Sequence, residues 1–178
     1  MRVIAGEFRS RVLKSLPGLD VRPTPDRMRE SLFSILAPRI PGAVFLDLYA
    51  GTGAVGIEAL SRGAERAIFV ENNQDALAVI RENLKILGLE NRGRVWQGRA
   101  GHVISKIGNV DIAFLDPPYP LEGEYEKALT ALADDPPGIT MAQHSSRFAL
   151  AERYGVLKRT RVLKQGENSL SFFASEGD

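Results

Sequence analysis

Two short stretches of the chain hold the residue types from which a reaction could be built. In Asp116-Pro117-Pro118-Tyr119 the paired prolines fix φ and carry no backbone donors, so their carbonyls project from a rigid turn as acceptors. One oxygen of Asp116 and the Pro117 carbonyl can hold both hydrogens of an exocyclic amine and aim its lone pair at an electrophile. Tyr119 adds a ring face on which a base can stack. The second stretch, Asp47-Leu-Tyr-Ala-Gly51-Thr-Gly53-Ala-Val-Gly56, contains GxGxxG, whose glycines let the backbone turn tightly and approach a ligand. Glu71 lies twenty residues beyond Gly51, where an acid can accept from ribose hydroxyls. The glycines and Glu71 point to a nucleoside-bearing cofactor without choosing which one. Asp47, beside the turn, suits a cofactor with an ammonium end better than a diphosphate, which favours S-adenosylmethionine over a nicotinamide dinucleotide.

These residues must be positioned by a regular scaffold, and the rhythm of the chain supplies one. Residues 43–48 read as a strand that runs into the glycine turn, followed by a helix over 56–61 closed by Gly63. Residues 67–70 form a second strand. Asn73 caps a helix with Leu77, Ile80, Leu84 and Leu87 on one face, stopped by Gly88. Val95 and Trp96 mark a third strand, 103–107 a short helix, and 111–115 a fourth strand ending at Asp116. A helix around Leu129 and Leu132 precedes closing strands at 139–142, 156–163 and 169–173. Such alternation implies a doubly wound, mostly parallel sheet, with the ligand at the carboxyl ends of its strands. Upstream, residues 2–14 read as a β-hairpin or arm. Thr24-Pro25-Asp26 then starts a helix with Met28, Leu32, Ile35 and Leu36 on one face, which Pro38 ends.

Composition narrows the classes. At 178 residues with 44% apolar and 25% charged, the chain has the make-up of one ordinary folded domain. It contains no cysteine, which excludes disulfides, thiolate metal sites and a Cys nucleophile. His102 and His144 are isolated, so they read as surface or packing residues and no metal is expected. No apolar run is long enough to span a bilayer, and arginines stand where a signal peptide needs its apolar core, so a cytoplasmic location is expected. Net charge is only +1, yet residues 1–29 hold seven basic side chains against three acidic ones. A second basic cluster spans Arg153 to Lys164. Two basic ends on a mildly acidic body suggest a polyanion partner.

Taken together, Arg2-Val-Ile-Ala-Gly-Glu-Phe-Arg-Ser-Arg11, Arg22-Pro-Thr-Pro-Asp-Arg-Met-Arg-Glu-Ser-Leu-Phe33, LDLYAGTGAVGIEALSRGA and DPPY resemble the bacterial RsmD family, which methylates the 2-amino group of a guanine in 16S ribosomal RNA. The resemblance covers nearly the whole chain. It implies the α/β, Rossmann-like fold of class I S-adenosylmethionine-dependent methyltransferases, with seven strands and an N-terminal β-hairpin and helix extension. A single methyltransferase domain over 1–178 is expected, with residues 1–25 as an RNA-engaging arm and 26–178 as the catalytic core. By position, Asp47, Gly51 and Gly53 would line the methionine end, Glu71 the ribose, and Arg99 and Ala100 the adenine edge, with Tyr49, Ala50, Thr52 and Asn72 as further cofactor contacts. Asp116, Pro117, Pro118 and Tyr119 would hold the guanine. Arg9, Arg11, Arg22, Thr24, Arg27 and Arg29 are the candidates for RNA contacts. Two positions depart from the pattern: Arg99 stands where a short polar or acidic residue is expected against the adenine amine, and Gln143 where an acid often ends the fifth strand.

The implied reaction is direct displacement, in which the amine takes the methyl group and S-adenosylhomocysteine leaves. The implied partner is 16S ribosomal RNA or a small-subunit assembly particle, met by a monomer without membrane attachment or metal. Competing readings are an amino-methyltransferase acting on adenine or cytosine in DNA, on another RNA or on a protein glutamine amide. A nicotinamide-dependent oxidoreductase would leave DPPY unexplained. A non-catalytic RNA-binding module would leave no reason for Asp47, Glu71 and Asp116 to be intact.

Overall fold

The computed structural model describes residues 1–16 and 25–176. Its centre is a sheet in which β1 (Val44–Leu48), β2 (Arg66–Glu71), β3 (Gly93–Gln97), β4 (Ile112–Leu115) and β5 (Ile139–Ser145) run parallel. The sheet is completed by β6 (Arg153–Tyr154), β7 (Leu157–Gln165) and β8 (Asn168–Ser175), which pair antiparallel, in the order β3-β2-β1-β4-β5-β8-β7-β6. Among the described residues five helices connect and cover it: α1 (Asp26–Leu36), α2 (Ala54–Ser61), α3 (Gln74–Leu87), α4 (Ala100–Ile107) and α5 (Gly123–Ala133). The order reverses between β1 and β4, so their carboxyl ends open the crevice where doubly wound sheets bind ligands.

The parallel strands are apolar on both sides because helices cover both faces. Leu46, Leu48, Ala113 and Leu115 face α4 and α5, whereas Phe45, Ile112 and Phe114 face α1 and α2. Local signals behave as the sequence suggests at α3: the Asn73 side chain accepts from Ala76 N at 3.0 Å, and Gly88 closes the helix at φ 66°.

Three features differ from expectation. The sheet has eight strands among the described residues, because Arg153 and Tyr154 fold back on Lys158 and Leu157 through Gly155 at φ 55°. A two-residue edge strand has no periodicity to reveal it. In α1 the buried set is Met28, Arg29, Leu32, Phe33 and Leu36, with Ile35 only half-buried, so the inward stripe is rotated toward Phe33. Pro25, placed by the sequence at the first helical position, is the extended residue that precedes α1, at ψ 139°. Thr24, expected as its cap, lies outside the described residues, as does Arg22.

The N-terminal arm is a small hairpin: Arg2 bridges Val12, Val3 N donates to Arg11 O at 2.9 Å, and Leu13 N to Met1 O at 2.8 Å. It is packed down. Val3 and Leu13 are buried in one apolar cluster with Ile57 and Leu60 of α2 and Ile80 and Leu84 of α3.

Candidate active site

One cleft of about 1670 Å³ opens at the carboxyl ends of β1, β2, β4 and β5. That is larger than a usual single-ligand pocket of roughly 300–1,000 Å³, and has room for a cofactor and a base side by side. Strand register gathers its walls. Leu48 pairs with Val70 and with Leu115, so Tyr49, Glu71 and Asp116 emerge at adjacent strand ends. Leu115 pairs with Ala142, which brings Gln143 beside Asp116.

The glycine loop is held from two sides by carboxylates. Asp47 is buried, and its Oδ2 accepts from Gly56 N at 2.9 Å, tying β1 to the first turn of α2. Glu71 accepts from Gly51 N through Oε2 at 2.8 Å, and from Asn72 N and Asn73 N through Oε1 at 2.8 and 2.9 Å. The sequence suggested that Glu71 would accept from the ribose hydroxyls. Three backbone amides already hold this carboxylate, so it also fixes the loop that a nucleoside would rest on.

The glycines divide their work. Gly51 has φ 57° and open space where a side chain would project, so a Cβ there would take up room in the cleft. Gly53, expected among the cofactor contacts, also answers to packing. It is outside the cleft lining, and a Cβ on it would lie 3.3 Å from Phe69 and 3.2 Å from Ile80.

The site is electrostatically tense. Burial pushes the Asp47 carboxyl well above the ordinary carboxylate range; the Gly56 N–H opposes this, and the charges of Asp116 and Glu71 add to it. A carboxyl that ionises less readily in the folded state takes up protons on folding, so its contribution to stability declines as pH rises above 3.8, its ordinary value. Asp47→Asn keeps an acceptor for Gly56 and removes the charge. It is expected to raise the unfolding midpoint at pH 7, with the gap from wild type closing as pH falls toward 3.8, checked by thermal unfolding across pH. An acid retained against stability in this way is a common mark of a functional group.

Tyr49, a non-glycine residue at φ 61°, sends its hydroxyl to Glu124 Oε2 at 3.2 Å. Burial, followed by the Glu124 charge, pushes this phenol well up from its usual value. Tyr125 donates to the Gln143 carbonyl at 2.6 Å and packs against Phe148 with the rings tilted, their centroids 5.6 Å apart. Glu124, Tyr125 and Phe148 line the cleft, and sequence reasoning missed all three. For Tyr125 the available signal was its place one turn before Leu129, on the inward stripe of α5.

Asp116 is half-buried, Pro117 buried, and Tyr119 is 86% exposed at the cleft mouth. Ala50, Thr52, Asn72, Arg99 and Ala100 also line the cleft; Arg99 is exposed and immediately precedes α4, whose first residue, Ala100, is buried. Arg9, Arg11 and Arg27 lie on the surface, outside the lining. Arg29, expected on RNA phosphates, is fully buried. His144 has both ring nitrogens engaged, Nδ1 with Ser145 O at 2.9 Å and Nε2 with Ser171 Oγ at 2.8 Å, which makes it a packing residue. Among the described residues no cluster of His, Asp and Glu could hold a metal ion, and no helix is long and apolar enough to cross a membrane.

Comparison with known proteins sets this geometry among relatives. Residues 1–174 match the family described as Conserved hypothetical protein 95. The chain is 36% identical to YlbH of Bacillus subtilis over 99% of its own length and 100% of that protein's. It is 38% identical to Ribosomal RNA small subunit methyltransferase D of Escherichia coli (strain K12) over 76% of its length and 68% of the relative's. The solved structure of yhhF from Escherichia coli superposes with a TM-score of 0.86 at 28% identity, covering 100% of this chain and 99% of that one. The eight-stranded mixed sheet is thus that of a Rossmann-like methyltransferase, and the chain belongs to the Conserved hypothetical protein 95 family, the RsmD family that its arm and DPPY segments resemble.

Proposed function

We propose that the protein transfers a methyl group from S-adenosylmethionine to the exocyclic 2-amino group of a guanine in 16S ribosomal RNA. The observation that carries this reading is the meeting of Asp116-Pro117-Pro118-Tyr119 with Asp47, Gly51 and Glu71 in one cleft at the β1/β4 switch point. The ribosomal substrate is supported by the name of the small-subunit relative and by the basic arm.

The residues fit that cofactor. Gly51 opens toward the cleft, Glu71 stands where a ribose would lie, and the acids around Asp47 disfavour a diphosphate. When bound, S-adenosylmethionine supplies an electrophilic methyl group on a sulfonium, so little activation is asked of the protein. Asp116 and the Pro117 carbonyl accept the two amine hydrogens, which turns the nitrogen lone pair toward the methyl group and eases its loss from ring conjugation. Tyr119 stacks on the base. The proton released as the new N–C bond forms passes toward Asp116. Most of the rate comes from positioning and water exclusion. The target guanine must leave its stack to enter the cleft. Arg9, Arg11 and Arg27, with Arg22 and Thr24, would position the RNA backbone; Arg99 would lie along the adenine edge.

The test offers the enzyme labelled S-adenosylmethionine with small-subunit particles, naked ribosomal RNA and duplex DNA in parallel, followed by digestion to nucleosides. Label in N2-methylguanosine is the expected result. Label in adenine or cytosine of DNA would retain the chemistry and overturn the substrate; no label in any sample would overturn the reading.

A further inference from the structure

Arg29 is the most fully buried charged side chain of the cleft wall, at 0% exposure. Its Nη2 donates to Asp26 Oδ1 at 2.7 Å and to Arg2 O at 3.1 Å. Its Nε and Nη1 are also buried and have no hydrogen-bond partner among the described residues. A guanidinium stays charged at any pH the fold survives, and burying it without satisfying its donors is costly. Asp26 compensates weakly, because its side chain is 65% exposed and shares its charge with water. Such an arrangement makes sense where the unused edge of the fork faces an anion with two oxygens.

The position narrows which anion. Met28, the preceding residue, packs in one apolar cluster with Val55 and Phe114, and these two residues line the cleft with Arg29. Val55 follows directly on the glycine loop and shares the cleft lining with Arg29. Asn72, Arg99 and Ala100 lie on the β2 and β3 side. The other basic side chains of the lining, Arg99, Lys127 and Arg147, are exposed. Asp47, Glu71 and Asp116 line the same cleft, close enough for the charges of Glu71 and Asp116 to act on Asp47, and such a group of acids disfavours a negative ligand. A carboxylate entering that company needs one buried cation on its side.

We propose that Arg29 anchors the carboxylate of the cofactor's methionine end, through the two donors the protein leaves unused. This rests on the S-adenosylmethionine reading and assigns Arg29 to the cofactor in place of an RNA phosphate. The ammonium of the same amino-acid end is then left to the acids near Asp47, so the two opposite charges meet opposite partners.

The experiment is a cycle of ligand and protein changes read by calorimetry. Wild-type protein, Arg29→Gln and Arg29→Lys are titrated with S-adenosylhomocysteine and with its decarboxylated analogue, which keeps the amine and thioether. Charged hydrogen bonds of this kind are worth about 10- to 100-fold in affinity. Wild type should bind the analogue weaker by that factor. Arg29→Gln should lose the same factor for S-adenosylhomocysteine and little for the analogue, so discrimination collapses. Arg29→Lys, which keeps the charge, should retain part of it and carries the cycle if the glutamine variant does not fold. Equal losses for both ligands, or no discrimination by wild type, would overturn the proposal and leave the cofactor reading standing. Unchanged discrimination with weakened RNA binding would give Arg29 to a phosphate. If wild type binds neither ligand, the cofactor reading itself falls.

Discussion

Replacing Asp116 with Ala is expected to lower the single-turnover rate of methyl transfer by at least about 100-fold, the usual loss when a reacting group is no longer held in line. Affinity for S-adenosylhomocysteine should hold or rise slightly. Asp116 stands at the end of β4, beyond the Leu48–Leu115 pairing, and its charge is one of the causes that lift the Asp47 carboxyl. Removing that charge relieves Asp47, and the three amides that hold Glu71 belong to Gly51, Asn72 and Asn73. Asp116→Asn retains one acceptor oxygen and should lose less rate than the alanine variant, though its amide cannot accept the released proton. Rapid-quench kinetics at saturating cofactor, beside calorimetric titration, separates the two quantities. A parallel collapse of rate and cofactor affinity would sink the division between Asp116 on the base and the Asp47–Glu71 side on the cofactor.

The parts of the site that were legible in advance are those where one local rule fixes one residue. Glycines after an apolar run, an acid twenty residues on and a proline pair after a short strand identify the cleft without a structure, because each answers to backbone geometry within a few positions. The parts that were not legible depend on elements distant in sequence. Glu71 holds the amides of its neighbours Asn72 and Asn73 locally, but that it also holds Gly51 follows from the β1–β2 register, which no local pattern encodes. Arg29 shows the opposite failure, a signal present and misread. Arg29, Leu32, Phe33 and Leu36 fall at i, i+3, i+4 and i+7, one helical stripe, and all four are buried. Charge alone suggested a surface role, while periodicity placed the residue inside. The rotated face of α1 and the buried guanidinium are one observation. Glu58 is a similar case: a lone acid in the apolar run of α2, fully buried, whose backbone partners Ile4 and Ala5 lie more than fifty residues away in the arm.

Those partners make Glu58→Ala the second large effect. Glu58 Oε2 accepts from Ile4 N at 2.8 Å, while Oε1 accepts from Ala5 N at 3.0 Å and from Arg62 Nε at 2.8 Å. Beside it, Ser61 Oγ donates to Ala5 O at 2.6 Å and accepts from Phe8 N at 3.0 Å. The two backbones touch, since a Cβ on Gly6, itself at φ +85°, would lie 1.9 Å from Ser61 O. Alanine at 58 therefore strands two amides and a guanidinium in a packed interface. Losing one partner of such a buried group costs about 3 kcal/mol. In a chain of this size that corresponds to a midpoint lower by roughly 6–12 °C. We propose that arm and core form one cooperative unit, because Val3 and Leu13 share their apolar cluster with α2 and α3. The loss should then appear as a single shifted transition by circular dichroism. Arg9 and Arg11 ride on the same hairpin, so RNA affinity should fall, and its salt dependence should flatten by about one unit of slope for each phosphate no longer neutralised. An unmoved midpoint would make the arm an appendage whose order owes nothing to Glu58. A lowered midpoint with unchanged salt dependence would keep the docking and return these arginines to a solvated surface.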